Sequence, residues 1–333
     1  MSYGNSGWSE WVLEEEESMK HFEAAWKMGI NTWDTANVYS GGDSERLVGK
    51  AIKKFNIPRD EIVILTKVFM NVGKDPRAHP STMKDLDNTG YVNLHGLSRK
   101  HIFDSIKASL ERMDLEYVDV LQCHRFDPET PIEETMDALH DVVKAGLARY
   151  IGEFVVLVGP KVSAYRPLDS GMSSCYAYQF NAMQTYAKSK GQTAFISMQP
   201  FYNAICFGVG AIPWSPLARG YLTRPFSEQN ATKRSATDPN FGKFVGLGNK
   251  VEEEPLQAIN AAIEKIAKAR GYSMAQIALA WTLANSTVSA PIIGSTKIES
   301  LEELVKATHI ELTPEEIKAI SEPYRPRGIL GHA

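Results

Sequence analysis

The chain has 333 residues, with 36 Lys and Arg against 40 Asp and Glu, for a formal net charge of −4 with histidine neutral. A hydrophobic share of 43% beside 23% charged residues is that of an ordinary globular protein with a large core, in two average domains or one α/β barrel. The balanced charge excludes a global basic field and so weighs against nucleic acid as a partner, and no apolar run reaches membrane-spanning length. After Met1-Ser2-Tyr3-Gly4 the N-terminal stretch soon meets Glu14 to Glu17, which does not read as a secretory signal. The three cysteines (Cys123, Cys175, Cys206) are odd in number and lack the spacing of a zinc site or disulfide framework, so a reducing, cytoplasmic location and no metal are expected.

In chain order, a helix over Glu14–Met28 feeds strands at Ile30–Ala36 and Ile62–Val68. Ser98 caps a helix ending near Met113, followed by strand Val118–His124. Thr130-Pro131 supplies a cap and a first-turn proline for a helix that Gly146 stops, and Ala148–Gly152 is the next strand. Strands at Phe195–Gln199, Gly210–Ser215 and Ala290–Ser295 follow, and capping boxes open helices at Ser273 with Gln276 and at Thr313-Pro314 with Glu316. The strands are near-continuous apolar runs, as parallel strands covered on both faces require. Regular alternation of strand and helix predicts one parallel α/β domain over residues 1–333, best fitted by a (β/α)8 barrel. No GxGxxG follows an early strand, which weighs against a Rossmann domain.

Three departures from a regular barrel are visible. The chain opens in a helix, so a closed eight-stranded barrel lacks its first strand. Only Pro200–Val209 joins Phe195–Gln199 to Gly210–Ser215, too short for a parallel crossover with its helix. The segment Glu153–Gly171 intrudes after a strand with no matching periodicity. Gly152-Glu153-Phe154 can be encoded by a frame containing GTGAGT, a splice-donor-like string, so the three departures read together as gene-model faults, this segment as a retained intron; a natural pseudoenzyme is the competing account.

Polar residues close the early strands, where barrel enzymes put their chemistry. Asp34 ends the first strand with Tyr39 five residues on, Lys67 ends the second and His124 the third. Singly, Asp34 reads as a loop cap, Tyr39 as surface and His124 as a hydrogen-bonded core residue. Lysine at the end of an apolar strand needs a partner if buried, and the four together point to a site. A tyrosine beside an ammonium has its phenolate stabilised, a carboxylate holds the ammonium charged, and a histidine orients a bound oxygen. The set suits protonating an alkoxide as it forms on a carbonyl carbon, and it contains no metal cluster and no activated Ser or Cys. Late in the chain, Gly294-Ser295-Thr296-Lys297 before the helix Glu299–Lys306 reads either as an anion site or as a plain capped helix with a solvated lysine.

Asp34-Thr35-Ala36 with Tyr39 and Ser44-Glu45, Leu65-Thr66-Lys67, Gln122-Cys123-His124-Arg125, Ile212 through Gly220 and Ile293-Gly294-Ser295-Thr296 resemble the aldo-keto reductase superfamily. The likeness is strongest to fungal aryl-alcohol dehydrogenases and versiconal hemiacetal acetate reductases, and it spans nearly the whole chain except Glu153–Gly171. It implies a barrel that uses NADPH to reduce a small-molecule carbonyl, with Tyr39 as proton donor, Lys67 and Asp34 tuning it and His124 orienting the carbonyl oxygen. It further implies that Trp214 stacks on the nicotinamide, that Ser173, Ser174 and Gln199 belong to the cofactor site with Gln199 on the carboxamide, and that Ser215, Pro216, Leu217 and Arg219 follow the pyrophosphate. Gly294, Thr296, Lys297, Ser300 and Glu303 match the positions for the 2′-phosphate and adenine, whereas Leu304 replaces an asparagine usual there. The resemblance calls for Ala-Ser-Ser after Gly152, and the similar Ser173-Ser174 stretch resumes only after the insertion. The loop Phe69–Leu97 is expected to line a substrate pocket with Trp33 and Trp214, and Tyr221–Pro255 to fold over the cofactor; both also read as plain excursions. Two other classes stay open: an NADPH-binding regulatory or inactive homologue, and a barrel lyase with Lys67 as a Schiff base.

Overall fold

The computed structural model describes residues 1–75, 77, 79, 85–153, 156–157, 175–200, 202, 212–229, 237 and 250–325. The chain divides into two compact units, one within Met1–Met198 and one within Gln199–Leu330. Each buries its own apolar cluster.

The first unit alternates helix and strand. Helix α1 (Glu15–Lys27) carries acids in its first turn and Lys27 in its last, the arrangement its macrodipole favours. Then come β1 (Thr32–Asp34), α2 (Asp43–Lys54), β2 (Val63–Val68), α3 (Arg99–Met113), β3 (Val118–Cys123), α4 (Ile132–Lys144) and β4 (Ala148–Glu153). A short pair, β5 (Val156–Leu157) with β6 (Cys175–Tyr176), precedes α5 (Ala177–Ser189) and β7 (Ser197–Met198). β1, β2, β3, β4 and β7 form one parallel sheet in that order, an α/β half-barrel. Fewer strands are thus described than a closed eight-stranded barrel holds.

Strand periodicity sorts the side chains into two layers. Ile64, Val68, Leu121, Cys123 and Ile151 join Ile102, Ile106, Met136 and Leu139 of the helices in the core between sheet and helices. Burial of each such aliphatic side chain contributes about 1.5–3 kcal/mol. The opposite face carries Leu65 beside Val120, then Lys67, Gln122 and Gly152 in register. At the N-terminal ends of the strands, Tyr117 lies between two guanidinium groups, 3.9 Å from Arg59 and 3.7 Å from Arg149. Asp119 there accepts from Arg59 Nη2 at 2.7 Å and from the Ile64 amide at 2.8 Å.

Ser98 caps α3 as expected, and both capping boxes form. Thr130 does not cap α4: Pro131 takes that position, and the Thr130 hydroxyl donates instead to Asp127 at 2.7 Å.

The second unit is helical, with α6 (Lys250–Arg270), α7 (Met274–Leu283), α8 (Ile298–Lys306) and α9 (Pro314–Ser321). The strands expected at Gly210–Ser215 and Ala290–Ser295 reduce, among the described residues, to one parallel bridge between Trp214 and Ile292. Pro213 and Pro291 lack the amide donors that a longer ladder needs. What pairing exists runs from Trp214 N to Pro200 O at 2.9 Å and from Ile292 N to Pro213 O at 2.8 Å. No helix among the described residues is long and apolar enough to cross a membrane.

Candidate active site

Asp34 leaves the last position of β1 and Lys67 the fifth of β2, facing the same side of the sheet. Lys67 is fully buried, and its Nζ donates to Asp34 Oδ2 at 2.6 Å and to the Thr35 carbonyl at 2.7 Å. A buried ammonium is tolerable only with such partners. Burial works against the charge, yet Asp34 first and then Tyr39 outweigh it, and the lysine pKa lies above its ordinary value.

Tyr39 opens a turn, Tyr39–Gly42, in which Ser40 and Gly41 are left-handed, so the chain reverses sharply into α2. Its ring lies 5.2 Å from Lys67 Nζ and meets the His124 imidazole edge-on at 5.7 Å. The expected lowering by Lys67 is present in sign, but burial is the larger influence and the phenol pKa is raised. His124 follows β3, its amide bonded to the Val68 carbonyl at 2.8 Å. Burial, then the charges of Lys67 and Arg125, push the imidazole pKa well below normal, so it is neutral. Asp34 and Tyr39 after β1, Lys67 in β2 and His124 after β3 thus meet in one place.

Arg125 joins them unannounced: it is 3% exposed, with its pKa lowered to about 10 chiefly by burial, and it acts electrostatically on Tyr39 and His124. Glu153, opposite Cys123 on the helix-side face of the sheet, is fully buried. Among the described residues, neither carboxylate oxygen meets a hydrogen bond of ordinary geometry, and the Cys123 thiol and the Arg125 charge are the favourable influences on it. Burial raises its pKa well above normal, so it is a neutral acid.

The long loop after β2 has a pinned neck. Gly96 N donates to Phe69 O at 2.8 Å, Leu97 N to Asp127 Oδ2 at 2.6 Å, and His101 Nδ1 holds Gly96 O at 2.7 Å. Gly96 has φ of +81°, and a side chain there would strike Asp127. Within the loop, the His79 ring lies 4.6 Å from Trp8, tilted by 37° against it, and Trp8 packs in the apolar cluster around Tyr39. Trp33 is not a pocket residue: the alternation that turns Asp34 inward turns Trp33 toward α1, where it packs 4.9 Å from Phe22 and donates to Ile30 O.

In the second unit, Gln199 is buried and Trp214 half-buried. Ser215, at φ of +54°, begins a tight turn whose hydroxyl accepts from Arg219 N at 2.9 Å, with Pro216 and Leu217 between. Gly294, Thr296 and Lys297 are exposed, and Ser300 and Glu303 half-buried, before and along α8. Lys297 holds the N-cap position, no side-chain oxygen caps the first turn, and Lys297 makes no ion pair among the described residues. Leu304 is part of the second core and presents no polar group. Ser173 and Ser174 lie outside the described residues, as does most of the expected cover over Tyr221–Pro255.

The profile of the Aldo/keto reductase family matches residues 1–325. This chain belongs to the aldo-keto reductase family. A versiconal hemiacetal acetate reductase of Aspergillus parasiticus is 43% identical over 99% of this chain and 93% of its own. A putative aryl-alcohol dehydrogenase of Schizosaccharomyces pombe is 42% identical over 99% and 92%. Among solved structures, a thermostable aldo-keto reductase, Tm1743, crystallised with the inhibitor epalrestat, superposes with a TM-score of 0.61 at 27% identity, covering 93% of this chain and 88% of that one. Arg125 stands in the Gln122-Cys123-His124-Arg125 motif, but the sequence assigns it no role in the site; its burial does.

Proposed function

We propose that this aldo-keto reductase reduces an aldehyde or ketone, aromatic or polyketide-derived, to the alcohol, with NADPH as hydride source and Tyr39 as proton donor. The observation that carries the reading is the buried Lys67–Asp34 pair set against the Tyr39 ring beside a neutral His124. The names of the fungal relatives support an aromatic or polyketide-type substrate.

NADPH, when bound, supplies the hydride to the carbonyl carbon. The protein's part is the other half of the reaction. A neutral imidazole is a hydrogen-bond donor to the carbonyl oxygen and orients it. As negative charge develops on that oxygen, the Tyr39 phenol delivers its proton, and the Lys67 and Arg125 charges stabilise the phenolate left behind. Solvent then returns the proton to Tyr39. Asp34 keeps Lys67 charged and in place.

The second unit fits the cofactor. Uncapped amides in the first turn of α8 with the exposed Lys297 ammonium favour a phosphate monoester, and the Ser215–Arg219 turn suits a pyrophosphate. Gln199 and Trp214 would take the carboxamide and the nicotinamide ring, Ser173 and Ser174 would complete that end, and Thr296, Ser300 and Glu303 the adenosine end. Leu304 removes one adenine contact. The Schiff-base reading fits worse, because a nucleophilic lysine needs a depressed pKa and that of Lys67 is raised.

NADPH oxidation with an aromatic aldehyde tests the proposal, with Tyr39→Phe abolishing turnover while NADPH binding, read by fluorescence, persists. Turnover retained in that variant overturns the proton-donor role, and binding without any turnover in the unaltered chain points to the inactive homologue. Lys297→Ala should weaken NADPH binding about tenfold, a change of ~1.4 kcal/mol, and leave NADH binding nearly unchanged.

A further inference from the structure

Asp34 and Lys67 stand on adjacent parallel strands, and each has a threonine as its neighbour: Thr35 follows Asp34 and Thr66 precedes Lys67. Both threonines are buried. Thr35 Oγ1 donates to Ser44 Oγ at 3.0 Å, and Thr66 Oγ1 donates to Glu45 Oε1 at 2.5 Å. Ser44 and Glu45 are consecutive residues in the first turn of α2, and the Tyr39–Gly42 turn runs directly into that helix. Glu45 has no exposure, and its second oxygen accepts from Arg112 Nε of α3 at 2.6 Å, while Arg112 Nη2 donates to Ser109 at 3.1 Å. A carboxylate buried this deeply persists only when paired on both oxygens. None of these groups takes part in the chemistry proposed above.

We infer that the first turn of α2 is the positioning element of the site: Glu45 through Thr66, and Ser44 through Thr35, set the Lys67–Asp34 pair against Tyr39. The inference rests on the reading of Tyr39 as proton donor. Successive strand residues project to opposite faces, so a short charge-assisted bond from Thr66 on the helix side fixes the backbone rotation that aims Lys67 on the other. The Thr35 carbonyl is itself one of the two acceptors of Lys67, so holding Thr35 holds the ammonium. One turn of helix, continuous with the turn that bears Tyr39, therefore references all three functional groups to a common frame. Arg112 braces that frame from α3.

Thr66→Val removes the donor at nearly constant volume, and Thr66→Ser keeps it. Isotope-labelled tyrosine NMR, with the Tyr39 resonance assigned by its loss in Tyr39→Phe, reads the phenol titration without turnover. In Thr66→Val the Tyr39 pKa should rise by ~0.5 unit or more as the ammonium retreats, kcat should fall about tenfold with KM for NADPH unchanged, and Thr66→Ser should restore both. Ser44→Ala, which releases only the Thr35 bond, should show a smaller rise and serves if Thr66→Val does not fold. A drop in thermal stability with the Tyr39 titration unmoved means a merely structural bond and overturns the inference. An unaltered protein that oxidises no NADPH refutes the proton-donor reading instead, and the NMR titration still decides the positioning.

Discussion

Tyr39 is pulled in two directions: burial raises its pKa, and Lys67 opposes this by charge and hydrogen bond without overcoming it. The reduction proposed above needs the protonated phenol. Its rate should therefore stay level through neutral pH and fall only in the alkaline range, above the ~10 of an ordinary tyrosine. Lys67→Met should move that fall to still higher pH and slow the step. The same change strands the Asp34 carboxylate, so denaturant unfolding should show a loss of about 3–5 kcal/mol. His124 is neutral in the fold, and the pH profile of kcat/KM should show no inflection near ~6.5. An inflection there that disappears in His124→Gln would mean that imidazolium, not imidazole, faces the substrate. Asp34, Lys67 and His124 were legible because a polar side chain closing an apolar run is conspicuous, and Tyr39 only by its place five residues after Asp34. Arg125 was not, because a cation in a loop ordinarily lies in water, and only tertiary packing reveals that this one is buried.

At the level of elements, the parallel strands declare themselves wherever the apolar run is uninterrupted, as in β2 and β3. Apolar content misleads where prolines strip the donors, as around Pro213 and Pro291. The capping boxes at Ser273 and Thr313 are local and so readable; the competition that drew Thr130 to Asp127 depends on a partner delivered by the fold. Helices α2 and α3 approach so closely at Gly49 that a Cβ there would fall within the Met113 carbonyl. Gly49→Ala should therefore destabilise by about 1–3 kcal/mol in thermal or denaturant unfolding. Glu153 predicts the opposite sign. Its folded pKa lies above the unfolded ~4.3, so the stability of the neutral acid is whole below that pH and drains away as pH rises toward the folded value. Glu153→Ala should flatten that slope and raise stability at neutral pH by about 1–3 kcal/mol.

For the whole molecule, the buried, poorly partnered Glu153 is a conflict between local sequence and fold at the first residue of the aperiodic segment. Removing Glu153–Gly171 joins Gly152 to Met172-Ser173-Ser174, close to the spacing that the resemblance calls for after that strand. The shortened chain should melt at a higher temperature and bind NADPH more tightly than the full one. Equal or weaker binding would show that the segment belongs to the working protein, and its presence in mature message would exclude an intron. The pinned neck of the loop after β2 has a different consequence. Phe69, Gly96, Leu97, His101 and Asp127 meet the entropic demand of closing the loop at its base. On the reading proposed above, a loop closed in this way is an exchangeable cassette: rewriting it would change which carbonyl compound is accepted and leave the frame that aims Tyr39 as it is.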